Sequence, residues 1–259
     1  MNIEQRVSLQ TNCISSLTYI EMLRLKRPHS LFKAYLCISM LSLSDLMGEK
    51  NKFLHPVERE YLDSLSFKRR QKSFLIGRYC AKQALSAYFN ESNMSDILIN
   101  NGVFKHPTVQ YVSKENIQIS ISHSNECGGA IAFPEEHPMA IDIEKIDQKK
   151  TEVIKSQCTI EELNLIKSLA AADITQLTIL WTVKEALSKV LKCGMMSPFT
   201  IFEINHTRSE SDYFVFGFKN FSQYKCISFI IEKFAFSIIL PKKTEFIPNI
   251  TAIRKLELQ

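Results

Sequence analysis

The chain has 259 residues, of which 45% are apolar and 23% are charged, enough for one large core or for two cores of about 100 to 130 residues each. Its formal net charge of +5 suits an acidic ligand or protein surface and is too small for the basic stripe of a nucleic-acid-binding protein. No run of about 18 apolar residues occurs, so no membrane-spanning segment is expected. Together with the modest net charge, this predicts neither a membrane nor a nucleic acid as a partner.

The seven cysteines lie far apart, without a C-x-x-C pair or a cluster with histidine. This usage predicts buried thiols in a reducing compartment and argues against a zinc site. The first ten residues include Glu4 and Arg6 and hold no apolar stretch, so no secretory signal is expected. A cytoplasmic protein is therefore predicted.

Taken in chain order, residues 1–30 form an extension of uncertain role, in which we expect a helix carrying Arg24, Lys26 and Arg27. A strand is predicted at Phe32–Leu41. A helix then follows the basic cluster at residues 68–72. Its buried face is predicted at Phe74, Ala81, Ala84, Leu85 and Tyr88, with Arg78 and Lys82 at the border. Further strands are predicted at Ile97–Ile99, Ile117–Ser122 and Ala130–Phe133.

The polar, proline-flanked stretch Pro134–Pro138 is the best candidate boundary between two halves. Beyond it, a strand is predicted at Met139–Glu144, and Thr159 with Glu162 forms a predicted capping box ahead of the helix around Trp181. The remaining predicted strands are Phe202–Ile204, Tyr213–Phe218, Cys226–Ile231 and Ala235–Leu240.

The two halves share a short repeated sequence. Residues 81–86 read A-K-Q-A-L-S and residues 183–188 read V-K-E-A-L-S, and each segment lies between a predicted strand and a group of turn-rich strands. We therefore predict an α+β fold made of two similar α/β subdomains related by pseudo-two-fold symmetry, at residues 31–134 and 135–259. The cleft at their interface is the predicted ligand site.

In the segment Met139–Glu144, alternation places Asp142 and Glu144 on one face of a strand, roughly 6 to 7 Å apart. Two carboxylates so placed can share Mg²⁺, although a solvent-facing acidic edge strand has the same pattern. Glu185 and Lys189 follow one helical turn apart. Alone they read as a surface ion pair, whereas together with Asp142 and Glu144 they indicate a third acid and a neutralising charge at one site.

His123 lies where a predicted strand turns into a loop. A structural histidine is the plainer interpretation, but Ser122 and His123 at such a corner can donate hydrogen bonds to a phosphate, and Gly128 with Gly129 permits close backbone approach. Two further basic features are the cluster at residues 68–72, which contains Arg70, and Lys105 in a turn. Each is either a solvated basic surface or a contact to a phosphate.

These motifs together resemble the 4′-phosphopantetheinyl transferases, in particular the larger, two-domain, monomeric type that activates surfactin synthetase. The resemblance rests on three segments in order: F-L-I-G-R with A-K-Q-A-L at residues 74–85, I-S-H-S at 121–124 leading to A-I-D-I-E at 140–144, and W-T-V-K-E-A with Lys189 at 181–189. It spans roughly residues 65–199. The combination is specific, whereas no single segment is.

The resemblance implies a holo-acyl-carrier-protein synthase activity, in which phosphopantetheine passes from coenzyme A to a serine of an apo carrier protein. Asp142, Glu144 and Glu185 would bind Mg²⁺ on the pyrophosphate, and Glu185 would act as general base. Lys189, Ser122, His123, Lys105 and Arg70 would contact the phosphates of coenzyme A. The carrier would be an acyl, peptidyl or polyketide carrier, from fatty acid, polyketide or non-ribosomal peptide synthesis.

The sequence departs from the family pattern at two positions. Ala140 replaces the glycine that usually opens the acidic strand motif, and F-K-H-P at residues 104–107 replaces the usual G-K-P around Lys105. Two other functions remain open at this point. One is a different magnesium-dependent phosphotransfer or hydrolysis by the same acids, and the other is a catalytically silent module that binds coenzyme A or a partner.

Overall fold

The structure, a computed structural model, describes residues 17–112, 116–124, 126–169 and 171–257. In the first half, a four-stranded antiparallel sheet has the order β1-β2-β6-β5, and β3 and β4 form a separate hairpin. The elements in chain order are β1 (Thr18–Arg27), β2 (Ser30–Ser39), α1 (Leu43–Phe53), α2 (Pro56–Asp63), α3 (Lys68–Phe89), β3 (Leu98–Asn101), β4 (Pro107–Gln110), β5 (Ile117–Ser124) and β6 (Cys127–Pro134).

The second half repeats this plan around a five-stranded antiparallel sheet of order β7-β11-β10-β9-β8. Its elements are β7 (Ala140–Lys145), α4 (Thr151–Lys155), α5 (Ile160–Ile166), α6 (Asp173–Val190), β8 (Ile204–Ser209), β9 (Phe214–Phe218), β10 (Tyr224–Ile231), β11 (Phe234–Pro241) and α7 (Ile250–Arg254). In both halves the strand just before the helices, β2 or β7, pairs with the last strand of the closing hairpin, β6 or β11. The predicted α+β fold of two similar units is confirmed.

The expected helix within residues 1–30 is wrong for the part that the structure describes. Residues 18–27 form β1, which pairs with β2 along its full length. The reason is a period of two, since Leu23 and Leu25 are buried while Arg24 and Lys26 face solvent. These residues therefore belong to the first sheet, and residues 1–16 lie outside the described part. The division after residue 134 stays a prediction.

Each half holds the same buried ion pair behind its long helix. Lys82 lies 2.8 Å from Glu58, and Lys184 lies 2.7 Å from Glu162. Both glutamates also close a capping box at the start of a short helix, as predicted for Thr159 and Glu162. Lys82 is thus fully buried instead of lying at the border of the apolar face, because its partner on α2 compensates its charge.

The buried side chains form three clusters that stack the elements in layers. One cluster joins α3 to the first sheet, another joins α6 to the second sheet, and a third fills the space between the two sheets. The six described cysteines are free thiols, and four of them are buried. None of the helices in the described residues combines the length and apolar character that a membrane span requires.

Candidate active site

The two sheets meet edge to edge at β5 and β7, where serine side chains replace a backbone ladder. The N–H groups of Ile141, Ile143 and Lys145 on β7 donate to serine hydroxyl oxygens of β5 at 3.1, 3.0 and 2.9 Å. The three acceptors, in the same order, are Ser120, Ser122 and Ser124. We call this contact the serine seam. It places the acidic strand β7 directly beside the strand that ends in His123.

Lys189 reaches into the serine seam from α6. Its ammonium donates to the carbonyl oxygens of Ile121 and Ile141 at 3.3 and 3.2 Å, and to Asp142 Oδ1 at 2.7 Å. An ammonium has three N–H donors, so all three are engaged in this structure. Lys189 therefore joins both sheet edges and neutralises Asp142 at the same time.

Asp142 is buried, and its two oxygens differ. Oδ1 accepts from Lys189 and, at 2.8 Å, from the hydroxyl of Ser122. Oδ2 is buried and has no hydrogen-bond partner among the described residues. An unpaired buried acceptor costs about 1 to 3 kcal/mol, and more when it is charged. Oδ2 is thus the atom available to a ligand.

Glu144 lies two residues further along β7 and is more accessible. Its Oε2 accepts from Lys150 Nζ at 2.6 Å and from the Ser124 hydroxyl at 3.4 Å. The two acids of the strand are therefore each held by one serine of β5 and one lysine. Alternation along β7 places them on the same face, as predicted.

Glu185 occupies the turn of α6 that precedes Lys189. Burial, followed by the negative charge of Asp142, raises the pKa of Glu185 to about 7, and Glu144 adds to this effect. Lys189 and a hydrogen bond from Trp181 lower it in part. A carboxyl group whose pKa is near 7 can accept a proton at neutral pH and also release it.

Glu185 and Lys189 line a cleft of about 520 Å³, whose other wall comes from α2, α3, β3, β4 and β5 of the first half. Apolar and aromatic side chains such as Val57, Tyr61 and Phe74 line that wall beside Arg78. The cleft lies at the interface of the two halves, where a ligand was expected. Its volume is within the range of small-molecule sites.

Arg78 and Gly77 are two cleft residues to which the sequence analysis assigned no role in a site. Arg78 lies 3.1 Å from Glu58 and stacks over Phe74. Gly77 allows α3 to approach β5, because a Cβ there would lie 3.1 Å from a methyl group of Ile121. The F-L-I-G-R motif contains both residues, so the motif was the available signal.

Of the predicted phosphate contacts, Ser122 and His123 line the cleft. Partial desolvation at the cleft wall and, to a smaller extent, the charge of Lys189 lower the pKa of His123, which favours its neutral form. Arg70 is exposed in the first turn of α3 and, among the described residues, is not part of the cleft wall. The side chain of Lys105 lies outside the described part of the chain.

Gly128 and Gly129 are needed for the close packing of β6. A Cβ would lie 2.5 Å from Ile76 at Gly128 and 2.6 Å from Ile143 at Gly129. The two glycines thus let β6 pass between helix α3 and strand β7, and neither is among the described residues that line the cleft.

The described residues contain no group of three Asp, Glu, His or Cys side chains in a ready arrangement for a metal ion. Lysines instead occupy one oxygen each of Asp142 and Glu144. The acids nevertheless fit a hard cation. Asp142 Oδ2 lacks a partner, and a cation would offset the burial and the negative charges that disfavour the ionisation of Glu185. Asp142, Glu144 and Glu185 would hold it.

The register of the two sheets identifies the equivalent positions in the first half. The second residue of β6 pairs with Ser39, and the second residue of β11 pairs with Glu144. Ser39 is therefore equivalent to Glu144. By the same register Cys37 is equivalent to Asp142, and the repeated helix segment aligns Gln83 with Glu185. The acids are therefore confined to one half of the duplicated fold.

Residues 138–239 match the model of the 4′-phosphopantetheinyl transferase superfamily. A 4′-phosphopantetheinyl transferase (gsp) of Aneurinibacillus migulanus is 26% identical over 138 residues, which are 53% of this chain and 55% of that protein. The chain thus spans about half the length of the curated relative that it matches.

Two solved structures are similar over less of the chain. The holo-(acyl-carrier-protein) synthase of Bacillus anthracis str. Ames in complex with CoA (3′,5′-ADP) has a TM-score of 0.34 and 22% identity, and the match covers 43% of this chain and 96% of that one. The holo-ACP-synthase of Plasmodium yoelii has a TM-score of 0.32 and 19% identity, with coverages of 45% and 96%.

The superfamily match contains β7 with Asp142 and Glu144 and α6 with Glu185 and Lys189. These are the residues on which the sequence resemblance rested most firmly. The predicted resemblance of this chain to the 4′-phosphopantetheinyl transferases is confirmed.

Proposed function

We propose that the chain transfers the 4′-phosphopantetheine arm of coenzyme A to a serine hydroxyl of an apo carrier protein. The serine oxygen forms a bond to the β-phosphorus, the bond from that phosphorus to the bridging oxygen breaks, and 3′,5′-adenosine bisphosphate leaves. The observation that carries this proposal is Glu185. It lies on the wall of a cleft between the two halves, with a pKa of about 7, inside the segment that matches the superfamily.

Glu185 is proposed as the general base for the attacking serine. A carboxylate of ordinary pKa is a weak base for a hydroxyl group, whereas one near 7 is matched to neutral pH. Lys189 lies in the next turn of the helix and lines the same cleft. Its charge offsets the negative charge that the phosphates bring, and His123 can donate a hydrogen bond to them.

Magnesium is proposed as the resident ion, held by Asp142, Glu144 and Glu185, where it would neutralise the pyrophosphate and the leaving group. The oxygens proposed for it on β7 are Asp142 Oδ2 and the Glu144 oxygen that Lys150 does not contact. We further propose that the chain acts as a cytoplasmic monomer. Its net charge of +5 favours carriers with an acidic docking surface.

The direct test is mass spectrometry of several apo carrier proteins incubated with this protein, coenzyme A and Mg²⁺, with and without a chelator. We expect a chelator-sensitive gain of about 340 Da on at least one carrier, the mass of the arm in a metal-assisted transfer. Release of 3′,5′-adenosine bisphosphate should match this gain mole for mole. Coenzyme A binding without a mass gain on any carrier would favour a silent binding module, and another phosphorylated product would favour a different phosphotransfer.

The pKa of Glu185 predicts how Mg²⁺ stabilises the fold at different pH values. Because the pKa of Glu185 is raised in the folded state, this group contributes to the free energy of unfolding. The contribution is fully present below about pH 4.5 and is lost as the pH rises through about 7. The loss is at most about 3.4 kcal/mol. Ionised acids attract Mg²⁺, so the increase in Tm on adding Mg²⁺ should be larger at pH 8 than at pH 6.

Thermal melts with and without Mg²⁺ at the two pH values measure this difference. Glu185→Gln is the control, since it keeps the other groups that titrate nearby, including His123, and removes only the carboxyl group. The variant should lose most of the pH dependence of the Mg²⁺ effect. An equal Tm increase at both pH values in the unmodified protein would contradict the assignment of Glu185 to the metal site.

A further inference from the structure

The hydroxyl of Ser122 is fully engaged inside the protein. Its oxygen accepts the N–H of Ile143 at 3.0 Å, and its proton is donated to Asp142 Oδ1 at 2.8 Å. A hydroxyl has one proton to donate, so Ser122 cannot donate to a phosphate without releasing Asp142. Ser122 is also buried, although its edge reaches the wall of the cleft.

This hydrogen bond decides which oxygen of Asp142 remains available. Ser122 and Lys189 both donate to Oδ1, while the buried Oδ2 has no partner. Rotation of the carboxyl group out of its present plane would break both hydrogen bonds. The side chain is therefore held in one orientation, with Oδ2 available to a cation.

We propose that Ser122 is a positioning residue, which orients Asp142 for the metal ion and does not contact coenzyme A. The inference rests on the proposed function, since it assigns a role toward the metal ion of that site. It replaces the phosphate contact that the family resemblance implied for Ser122. Ser124 has the same relation to Glu144 over a longer distance, 3.4 Å, so its effect should be smaller.

Ser120 provides a matched control within the same strand. Its hydroxyl accepts the N–H of Ile141 at 3.1 Å, so it forms an equivalent contact of the serine seam. The residue that Ser120 faces is not an acid, because the acids of β7 begin at Asp142. Ser120→Ala and Ser122→Ala each remove one contact of the seam, and only the second releases a carboxylate.

The experiment measures Mg²⁺ binding to the full chain by calorimetry, and coenzyme A binding separately in the presence of a chelator. Removing a group that orients a metal ligand typically lowers metal affinity about 10- to 100-fold. We expect a loss of this size in Ser122→Ala and less than about 3-fold in Ser120→Ala. Coenzyme A affinity in chelator should change by less than about 2-fold, since phosphate donors are untouched.

Ser122→Thr keeps the hydroxyl and should bind Mg²⁺ more tightly than Ser122→Ala. Melting curves of all variants check that they fold. If Ser122→Ala does not, Ser124→Ala tests the same role at the second acid, Glu144, where a smaller loss of Mg²⁺ affinity is expected. Weaker coenzyme A binding in chelator with unchanged Mg²⁺ affinity would overturn the proposal in favour of a phosphate contact. Equal Mg²⁺ losses in Ser120→Ala and Ser122→Ala would overturn it in favour of a purely structural seam.

The proposed function and this inference fail in different ways. If the unmodified chain binds no Mg²⁺, the proposed metal site fails, and the role of Ser122 fails with it. If the unmodified chain binds Mg²⁺ and Ser122→Ala binds it equally well, only the role of Ser122 fails. Neither result depends on finding a carrier protein that accepts the phosphopantetheine arm.

Discussion

Glu185→Gln is expected to lower kcat for phosphopantetheine transfer by about 10²- to 10⁴-fold, the usual contribution of a positioned general base. Glutamine has the same shape and can still accept the hydrogen bond from Trp181, but it cannot take a proton. Coenzyme A affinity should be retained to a large extent, because Lys189 and His123 remain in the cleft. Steady-state kcat from carrier modification and coenzyme A binding by calorimetry separate the two effects.

The fold should not suffer from this substitution. The charged form of Glu185 is disfavoured by burial and by Asp142, so a neutral side chain removes a cost, and the Tm at pH 8 should be unchanged or higher. Glu245→Gln, at an exposed carboxylate that pairs with Lys26, is the control and should keep full activity. A Glu185→Gln variant with wild-type kcat would remove Glu185 from the role of base.

The largest effect on stability is expected at the buried ion pair of the second half. Lys184→Met leaves Glu162 buried without a cation, which typically costs about 3 to 5 kcal/mol in free energy of unfolding. Lys82→Met in the first half should cost less, because Arg78 Nε lies 3.1 Å from Glu58 and retains a positive charge beside it. Urea unfolding of the two variants measures this difference directly.

A double variant shows whether charge is the cause. In Lys184→Met with Glu162→Gln no uncompensated charge remains, and glutamine can still accept from the N–H of Ile204, as Glu162 does at 3.1 Å. More than half of the lost stability should return. If the double variant is no more stable than Lys184→Met, or if Lys82→Met costs as much, the loss comes from packing of the lysine stem instead.

The repeated six-residue segment predicted the duplication, because a helix that is buried on most sides accepts few residue types at each position. In α6, for example, Val183 and Leu187 are buried and Glu185 faces the cleft, so each position has a visible reason. The strands were predicted from their apolar alternation, because burial of one face of a strand restricts every second residue in the same way. The acids of β7 followed from that alternation, since a period of two places Asp142 and Glu144 on one face.

Contacts between residues that are distant in sequence could not be predicted from local patterns. Lys82 was expected at the border of its helix, since the sequence does not show that Glu58 lies opposite it. The strand β1 had a local signal, the alternation of Leu23 and Leu25 with basic residues, which the surrounding charges obscured. The serine seam required knowing that β5 and β7 are neighbouring edges of different sheets.

Cys37, Ser39 and Gln83 occupy the positions that Asp142, Glu144 and Glu185 hold in the other half, and this has a consequence for stoichiometry. A chain with two copies of the fold should bind one equivalent of metal ion and one of coenzyme A, and the titration should show no second, weaker site. The first half supplies a wall in place of a second set of ligands. Neither half expressed alone should therefore retain coenzyme A, because each would lack one side of the cleft that Glu185 and Lys189 line.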